Sequence, residues 1–475
     1  MLTVCLAPQL ARAHAGPQVR SIVFDREAEL HAATLLIANR GLIFGDAQRA
    51  SWELVCNEVL HVTTNDKPDV AVLPDGRLLV ATARGLLGSS DRACNWQLVP
   101  GFGEMLSTPA LAQHPSEPRT LYLTTYAPGA TGLQLSEDGG RSWRELLHGS
   151  DTDFLRYVRI AASDPQRMYM GKLGFASSKL AYYVLRSADA GKTWQEQAVE
   201  LSEEETDLVL LGVSPHDPNL LLAKANAADP ALMTERLLVS RDGGKSFESP
   251  IQLHTITAVE WSADGQRSWL ATDDGLYVST DAARSFARVG TAELVSCVHE
   301  RAGALYVCGW YEGVQSGMPG VGISMDHGES FERYMNMSQV LAPLPCEHGS
   351  DASVTCEQPW IDWQREILGY APGSAGAGAA GSGRPTTGTG GAAAPAAGSG
   401  GSPPSAAAPA SDGSGCALAP SRTRGLPLGA AWLLLALLAR GAHRRRLRLS
   451  SRGPRSNAAA CAGRLKRSRN SSCSR

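Results

Sequence analysis

The sequence has few of the features that mark helical or nucleotide-dependent proteins. No helical period of useful length appears between residues 19 and 334. The chain has no phosphate-binding loop and no serine-nucleophile elbow, and none of its scattered histidines stands at metal-ligand spacing from a second ligand. We therefore expect no cofactor and no metal, and core or solvated histidines at His61, His114, His148, His216, His254, His299, His327 and His348.

Positive charge is also scarce until the C-terminus. The formal net charge is −3, but residues 440–475 hold twelve Lys/Arg and no acid, and residues 371–439 add a net +2. The first 370 residues therefore carry about −17. Because phosphate backbones are bound by basic faces, this balance argues against nucleic acid as a partner.

What the sequence does contain is a short motif repeated seven times. The copy at 136–143 reads SEDGGRSW, and its pattern is Ser-x-Asp-x-Gly-x-x-Trp/Phe. The copies recur every 39 to 53 residues, a period typical of propellers, solenoids and arrays. Their aspartates are Asp46 (the most eroded copy), Asp91, Asp138, Asp189, Asp242, Asp281 and Asp326, and their aromatic ends include Trp96, Trp143, Trp194, Phe247, Phe286 and Phe331.

Between the motifs lie apolar runs of four to seven residues separated by Pro/Asp/Gly/Asn-rich turns, which are strand and hairpin signals. Four short strands per repeat predict an all-β, seven-bladed propeller of four-stranded antiparallel blades. Each motif then forms the turn between the third and fourth strands. The aspartate closes the turn, glycines such as Gly140, Gly191, Gly244 and Gly328 supply positive φ, and the aromatic packs between blades.

These motifs resemble the Asp-box, or BNR, repeats of sialidases, xyloglucanases and sortilin-type propellers. The resemblance covers residues 19–334 and implies the fold, but the repeats occur in enzymes and in binding proteins alike. Sialidases need an arginine triad and an Arg-Ile-Pro motif, whereas the nearest string here is YVRIAA at 157–162. Nothing in the sequence shows that Arg84, Arg156 and Arg159 converge. Xyloglucanases use two propellers with a carboxylate from each, and one is present here.

A ligand is expected on the face opposite the repeated turns, where the loops vary most. The segment CGWYEGVQSGMPG at 308–320 sets an aromatic pair beside a carboxylate, which suits a sugar or a peptide. The alternative is a tryptophan buried under the C-terminal segment. The predicted ligand-binding residues are Trp310, Tyr311, Glu312, Tyr126, Phe175 and Arg84, and no catalytic residue is predicted.

Cysteine usage indicates export. Six of the ten cysteines lie in the predicted propeller and the segment after it. Cys297 and Cys308 flank a turn on neighbouring strands, Cys346 and Cys356 would close a short loop, and Cys56 and Cys94 would remain as a pair between blades one and two. Buried free thiols are the alternative. Ala-His-Ala at 13–15 fits a signal-peptidase site, with processing at Ala15, against the alternative of a frayed tail.

The last third of the chain changes composition. Residues 371–415 are nearly all Gly, Ala, Ser, Pro and Thr and cannot bury enough apolar surface to fold. Then follow Cys416, an apolar stretch at 426–439 that would enter the membrane, and an Arg cluster at 444–448. This arrangement resembles the myxobacterial C-terminal sorting signal and implies a sorting protease acting at Cys416. An ordinary single-pass anchor is the alternative.

These observations predict a domain order and a function. The domains are a signal-peptide remnant (1–15), the propeller (16–334), a cap with a short helix at 359–370 (335–370), a linker (371–415), a sorting signal (416–448) and a basic tail (449–475). We expect a monomeric, non-catalytic propeller that binds an extracellular glycan or protein at the cell envelope. The alternative is a secreted glycoside hydrolase of sialidase-like or xyloglucanase-like type.

Overall fold

The computed structural model describes residues 17–24, 33–46, 51–64, 66–102, 106–176, 178–229, 234–309 and 320–367. All of them belong to one compact unit that spans residues 1–381. The predicted linker, apolar stretch and basic tail lie outside the described residues. No helix in the described part of the chain is long and apolar enough to cross a membrane.

The strands form seven antiparallel blades in chain order. Blade 1 is β1 (Val19–Phe24), β2 (Ala33–Ala38), β3 (Gly41–Asp46) and β4 (Ser51–Cys56); blade 2 is β5 (Asp69–Val72), β6 (Leu78–Thr82), β7 (Gly85–Ser89) and β8 (Gln97–Leu98). Blade 3 is β9 (Ser107–Gln113), β10 (Leu121–Tyr126), β11 (Gly132–Ser136) and β12 (Arg144–His148); blade 4 is β13 (Phe154–Ile160), β14 (Met168–Ala176), β15 (Lys179–Ser187) and β16 (Gln195–Val199).

Blade 5 is β17 (Glu205–Val213), β18 (Leu221–Ala227), β19 (Thr234–Ser240) and β20 (Gln252–His254); blade 6 is β21 (Ile256–Trp261), β22 (Ser268–Thr272), β23 (Gly275–Ser279) and β24 (Ala287–Val289). Blade 7 is β25 (Val295–Arg301), β26 (Ala304–Gly309), β27 (Val321–Ser324) and β28 (Glu332–Met335). The first strand of each blade is the innermost, and β1 packs against β25 to close the ring. The predicted seven-bladed, all-β fold is confirmed.

Seven apolar clusters hold neighbouring blades together, and each fills one interface of the ring. The aromatic residues that end the repeated motifs lie in these clusters, as predicted: Trp96, Trp143, Trp194, Phe247, Phe286 and Phe331. Three tryptophans also donate their indole N–H to a carbonyl three residues back, as Trp194 does to Gly191 at 2.9 Å. Each motif therefore fixes a turn and an interface together.

The repeated turns, called Ser–Asp turns below, share one hydrogen-bond pattern. In the blade 3 copy, Asp138 Oδ1 accepts from the Ser136 hydroxyl at 2.8 Å and from the Ser142 N–H at 2.9 Å. The Gly140 N–H donates to Ser136 Oγ at 2.7 Å, and Gly140 adopts a φ of 78°. Hydrogen bonds of this kind stabilise the carboxylate, so the aspartates have turn-closing roles. Matching bonds surround Asp91, Asp189, Asp242, Asp281 and Asp326.

The segment after blade 7 closes the ring in a way that the sequence did not suggest. A fifth strand, β29 (Val340–Pro343), adds to blade 1 in parallel with β4, and Leu344 N–H donates to Leu54 O at 2.9 Å. Two helices follow, α1 (Asp351–Thr355) and α2 (Glu357–Ile367). The N–H of Trp96 donates to the Asp351 carboxylate at 2.9 Å. The C-terminal segment is thus fixed to blades 1 and 2.

The described residues contain three disulfides, and two of them differ from the predicted pairs. Cys297–Cys308 joins directly opposed residues of β25 and β26, as expected. The predicted pairs Cys346–Cys356 and Cys56–Cys94 are wrong: the bonds are Cys56–Cys356 and Cys94–Cys346. The reason is topological, because β29 brings the end of the propeller back beside its beginning. Three disulfides indicate an extracellular, oxidising environment.

Candidate functional site: the central channel

The innermost strands of the seven blades surround a central channel, and the loop before β5 reaches into it. This loop leaves blade 1 after a short 3-10 helix, Asn57–Leu60. It is braced by the Asp66 carboxylate, which accepts from Thr63 N–H at 2.6 Å, and by Arg20, which donates to the Asp66 carbonyl at 3.2 Å. Lys67, two residues before β5, is the residue that this loop delivers to the channel.

Charged groups from four blades surround Lys67. It lies within electrostatic reach of Arg20 in blade 1, Asp69 in blade 2, Arg159 in blade 4 and Lys224 in blade 5. Only a position close to the axis of the ring is near all four blades at once. The side chain is nevertheless solvent-accessible, although protein surrounds it on almost every side. This combination describes an ammonium group in a channel that is open to solvent.

The other cations of this cluster have acceptors of their own. Lys224 pairs with Glu235 at 2.7 Å and also donates to the Ile256 carbonyl at 2.6 Å. Arg159 donates to the carbonyls of Leu211 and Val158, both at 3.0 Å. Within the described ranges, the Lys67 ammonium has neither a hydrogen bond nor an ion pair. Among the described residues, Lys67 is thus the cation of this cluster that has no hydrogen-bond acceptor and no ion pair.

Electrostatics agree with this geometry. Burial lowers the pKa of Lys67 to about 8; Asp69 opposes this shift, while Arg159, Arg20 and Lys224 add to it. Burial raises the pKa of Asp69, against the effects of Arg159, of the Leu111 N–H that donates at 3.0 Å, and of Lys67. An anion entering the channel would offset the desolvation and the repulsion that lower the pKa of Lys67. The arrangement can bind an anionic group.

Above blades 3 to 5, aromatic residues border the face opposite the Ser–Asp turns. Tyr126 is half-buried with its ring edge-on to Phe154 at 5.1 Å. Arg156 lies over the Phe154 ring at 5.6 Å and forms an ion pair with Asp207. At the tip of the long β14–β15 hairpin, Phe175 is 51% exposed opposite Leu180, which is 53% exposed. This surface suits stacking against a ligand.

The predicted ligand residues are only partly brought together. Trp310, Tyr311 and Glu312 lie outside the described residues. Tyr126 and Phe175 stand on neighbouring blades, whereas Arg84 is exposed at the β6–β7 turn of blade 2. Of the three arginines compared with a sialidase triad, Arg159 faces the channel cluster and Arg156 is held by Asp207. These positions leave the predicted binding role of the set untested.

The Ser–Asp turns lie at the other end of the blades, and their chemistry is structural. Hydrogen bonds from the Thr193 hydroxyl and N–H, with one from Ser187, lower the pKa of Asp189 to about 2. A carboxylate held so strongly in its charged form is poorly suited to proton transfer near neutral pH. Among the described residues no group of His, Cys, Asp or Glu side chains could hold a metal ion.

Sequence reasoning missed Lys67, because a lysine in a polar loop carries no local signal of enclosure. The run TTNDKPD at 63–69 is as polar as other turns of the chain. In the folded chain Lys67 lies near Arg159 and Lys224, which are about 90 and 160 positions away in sequence. Only the closed ring brings them together.

Comparisons with known proteins support the fold type. A family model described as Sortilin-Vps10 (sortilin, neurotensin receptor 3) matches residues 131–302, from blade 3 to the first strand of blade 7. This match and the seven blades support a sortilin-like propeller. A probable oligoxyloglucan-reducing end-specific xyloglucanase of Neosartorya fischeri is 25% identical over 262 residues, covering 47% of this chain and 31% of that protein. The chain therefore spans about a third of that relative's length.

Solved structures of GH74 enzymes are also similar to the chain. An ancestral GH74 enzyme is 17% identical, with a TM-score of 0.43, over 67% of this chain and 44% of the enzyme. The GH74 xyloglucanase of Xanthomonas campestris is 14% identical, with a TM-score of 0.23, over 71% of this chain and 94% of the enzyme.

Proposed function

We propose that this protein is an extracellular binding propeller that takes an anionic group of its ligand into the central channel. The observation that carries the proposal is the Lys67 ammonium, which is enclosed by four blades and has no acceptor among the described residues. Arg20 and Arg159 add positive potential around it. The aromatic surface at Tyr126, Phe154 and Phe175 offers contact for the rest of a glycan or protein ligand.

Display follows from the C-terminal part of the chain. The linker at 371–415 acts as a stalk, and residues 416–448 act as the sorting signal, with processing at Cys416 and the Arg cluster on the inner side of the membrane. The propeller is then held at the cell envelope with its channel open to extracellular ligands. Metabolic labelling with a lipid precursor tests processing: incorporation should be lost in Cys416→Ala, and equal incorporation in both forms contradicts it.

Binding is tested with the purified chain on an array of neutral, uronic and sulfated glycans and of peptides with free carboxylates. Retention should favour one anionic class and weaken by about 10-fold or more in Lys67→Met, since a charge-assisted bond contributes about 1.5–3 kcal/mol. Lys192→Met removes an exposed lysine in a Ser–Asp turn and should bind like the parent. Retention of neutral probes only, or equal binding by both variants, contradicts the proposal.

The pH dependence gives a second readout. Because Lys67 must be protonated to hold an anion, affinity should be full below its pKa of about 8 and fall as the pH rises above it. Bound anion raises that pKa, so the loss should occur above pH 8 rather than below it. Affinity that stays constant from pH 6 to 10 excludes Lys67 as the binding group.

A secreted glycoside hydrolase remains the second candidate. The Neosartorya fischeri relative is named as a xyloglucanase, and burial raises the pKa of Asp69, as a general acid requires. Glycosidases need a second carboxylate at a defined separation. Incubation with xyloglucan oligosaccharides decides between the two: new reducing ends that disappear in Asp69→Asn support hydrolysis, and none supports binding alone.

A further inference from the structure

The inner strands of blades 1, 7 and 6 place a serine, a histidine and a glutamate next to one another, with the histidine in the middle. Ser21 Oγ lies 3.4 Å from His299 Nε2, and His299 Nδ1 lies 3.5 Å from Glu260 Oε2. Ser21 is on β1, His299 on β25 and Glu260 on β21. The three residues are up to 278 positions apart in sequence, so only the closed ring assembles them.

These three residues face the channel rather than an interface between blades. Ser21 and Glu260 belong to the blades on opposite sides of blade 7. A side chain of β25 can reach both neighbours only along the inner edge of its own blade, where the inner strands converge. The side chains of His299 and Glu260 are 27% and 28% exposed, so channel water and small solutes have access to them.

The hydrogen bonds assign the histidine tautomer. The Ile22 N–H donates to His299 Nε2 at 3.4 Å, so this nitrogen carries the lone pair and Nδ1 carries the proton that faces Glu260. The Glu260 carboxylate is itself oriented by the Trp261 N–H, which donates to Oε1 at 3.0 Å. A general base that accepts a serine proton at Nε2 requires this tautomer.

An irregularity in β1 orients the Ser21 side chain. The β1–β2 register shifts between Val19 and Ser21, which makes Arg20 the extra residue of a bulge. Bulges re-aim side chains and occur often beside active sites. Ring closure at this seam has other support, since Ser296 Oγ donates to the Val19 carbonyl at 2.6 Å and β29 and two disulfides fix the chain end.

We propose that Ser21 is a nucleophile for carboxylic esters small enough to enter the channel. Ser21 Oγ bonds to the carbonyl carbon and its proton passes to His299 Nε2. The ester C–O bond breaks, and the leaving alkoxide takes that proton. Water then attacks the acyl-serine, His299 takes a proton from the water, and Ser21 Oγ regains a proton as the carboxylic acid leaves. Glu260 positions His299 and stabilises its charged form.

The test uses the full chain with two probes, a biotinylated fluorophosphonate and p-nitrophenyl acetate. Mass spectrometry should locate the phosphonyl adduct on Ser21. Ser21→Ala and His299→Asn should each lower steady-state nitrophenolate release by about 100-fold or more. Ser107→Ala, a serine of the blade 3 inner strand, should leave it unchanged, as should Lys192→Met, which changes an exposed lysine in a Ser–Asp turn. Equal unfolding midpoints show that each variant is folded.

Three results overturn the proposal. The first is a folded parent protein without a Ser21 adduct. The second is unchanged turnover in folded Ser21→Ala. The third is a single acetylation of Lys67 with no further release, because an amine with a pKa of about 8 reacts once with the ester and does not turn over.

Discussion

The seam that joins blades 7, 1 and 2 is built differently from the rest of the ring. At the seam, β29, α1 and α2 cover the edge of blade 1, and two disulfides link residues 300 and 252 positions apart. Across blades 3 to 6, apolar clusters and the Arg156–Asp207 ion pair join neighbours without a covalent bond among the described residues. Blades 7 and 1 are neighbours in the ring but are not consecutive in the chain. The comparison shows that the extra strand and the two disulfides reinforce the place where they meet.

The largest expected effect comes from breaking the seam. The double variant Cys56→Ser/Cys356→Ser should lose about 4 kcal/mol of unfolding free energy, because, with Cys94–Cys346 intact, its bond closes a loop of about 50 residues. Cys297→Ser/Cys308→Ser is the matched control within one blade, and its 11-residue separation gives about 3 kcal/mol. Urea unfolding measures both. An equal or smaller loss at the seam would show that β29 and the apolar cluster close the ring without the disulfide.

An interface without a disulfide should depend on its aromatic core. Trp269 is fully buried between blades 6 and 7, and its indole N–H donates to the His327 carbonyl at 3.0 Å. Trp269→Phe should cost about 2 kcal/mol, from the lost hydrogen bond and the space left behind. Trp143→Phe also loses an indole hydrogen bond, to the Gly140 carbonyl at 3.2 Å, but it changes a half-buried ring and should cost only about 1 kcal/mol. Similar urea midpoints for the two variants would contradict this ranking.

Inside the channel the expected effect has the opposite sign. Lys67→Met should stabilise the ligand-free protein by ~1 kcal/mol at neutral pH; channel water screens the charge, so the effect is smaller than the pKa shift alone implies. The pKa of Lys67 in the folded protein, about 8, lies below the ordinary 10.5. The stability of the wild type therefore rises as the pH increases from 8 to 10.5, and the difference in stability between Lys67→Met and the wild type shrinks. Thermal unfolding from pH 7 to 10.5 measures this, and destabilisation by Met contradicts it.

The smallest effect is expected in a single Ser–Asp turn. The pKa of Asp189 is lowered to about 2, so its carboxylate contributes stability above pH 4, and this contribution is lost as the pH falls through 2. Asp189→Asn should lower the melting temperature slightly at pH 6 and should melt like the parent below pH 2. Glu203→Gln, an exposed carboxylate in the loop before blade 5, serves as the control. A difference that persists at the lowest pH would refute the assignment.

The sequence predicts what is repeated and misses what is unique. Seven copies of one motif were enough for the blade count, the place of the Ser–Asp turns and the aromatic anchors. In the six copies whose turns the structure describes, local hydrogen bonds fix the turn. The Cys297–Cys308 pair was predictable because both cysteines belong to one hairpin.

The missed features depend on ring closure. Cys56 and Cys94 bond with cysteines that follow the last blade, because β29 returns to blade 1. The spacing of the cysteines in the sequence does not indicate this return. His299 looked like a scattered histidine until blades 1 and 6 were placed on either side of it. Tyr126 and Phe175 could be assigned to one face from strand order, but their separation could not.

The Cys56–Cys356 bond also has a mechanical consequence. Cys356 lies between α1 and α2, eleven residues before the end of α2. A pull applied to the C-terminal end would pass through this covalent bond into Cys56 at the end of β4, the strand of blade 1 that pairs with β29. The hydrogen bonds of β28 and β29 would be shielded from the tension, so the ring would stay closed under forces that would otherwise peel its last blade from the first.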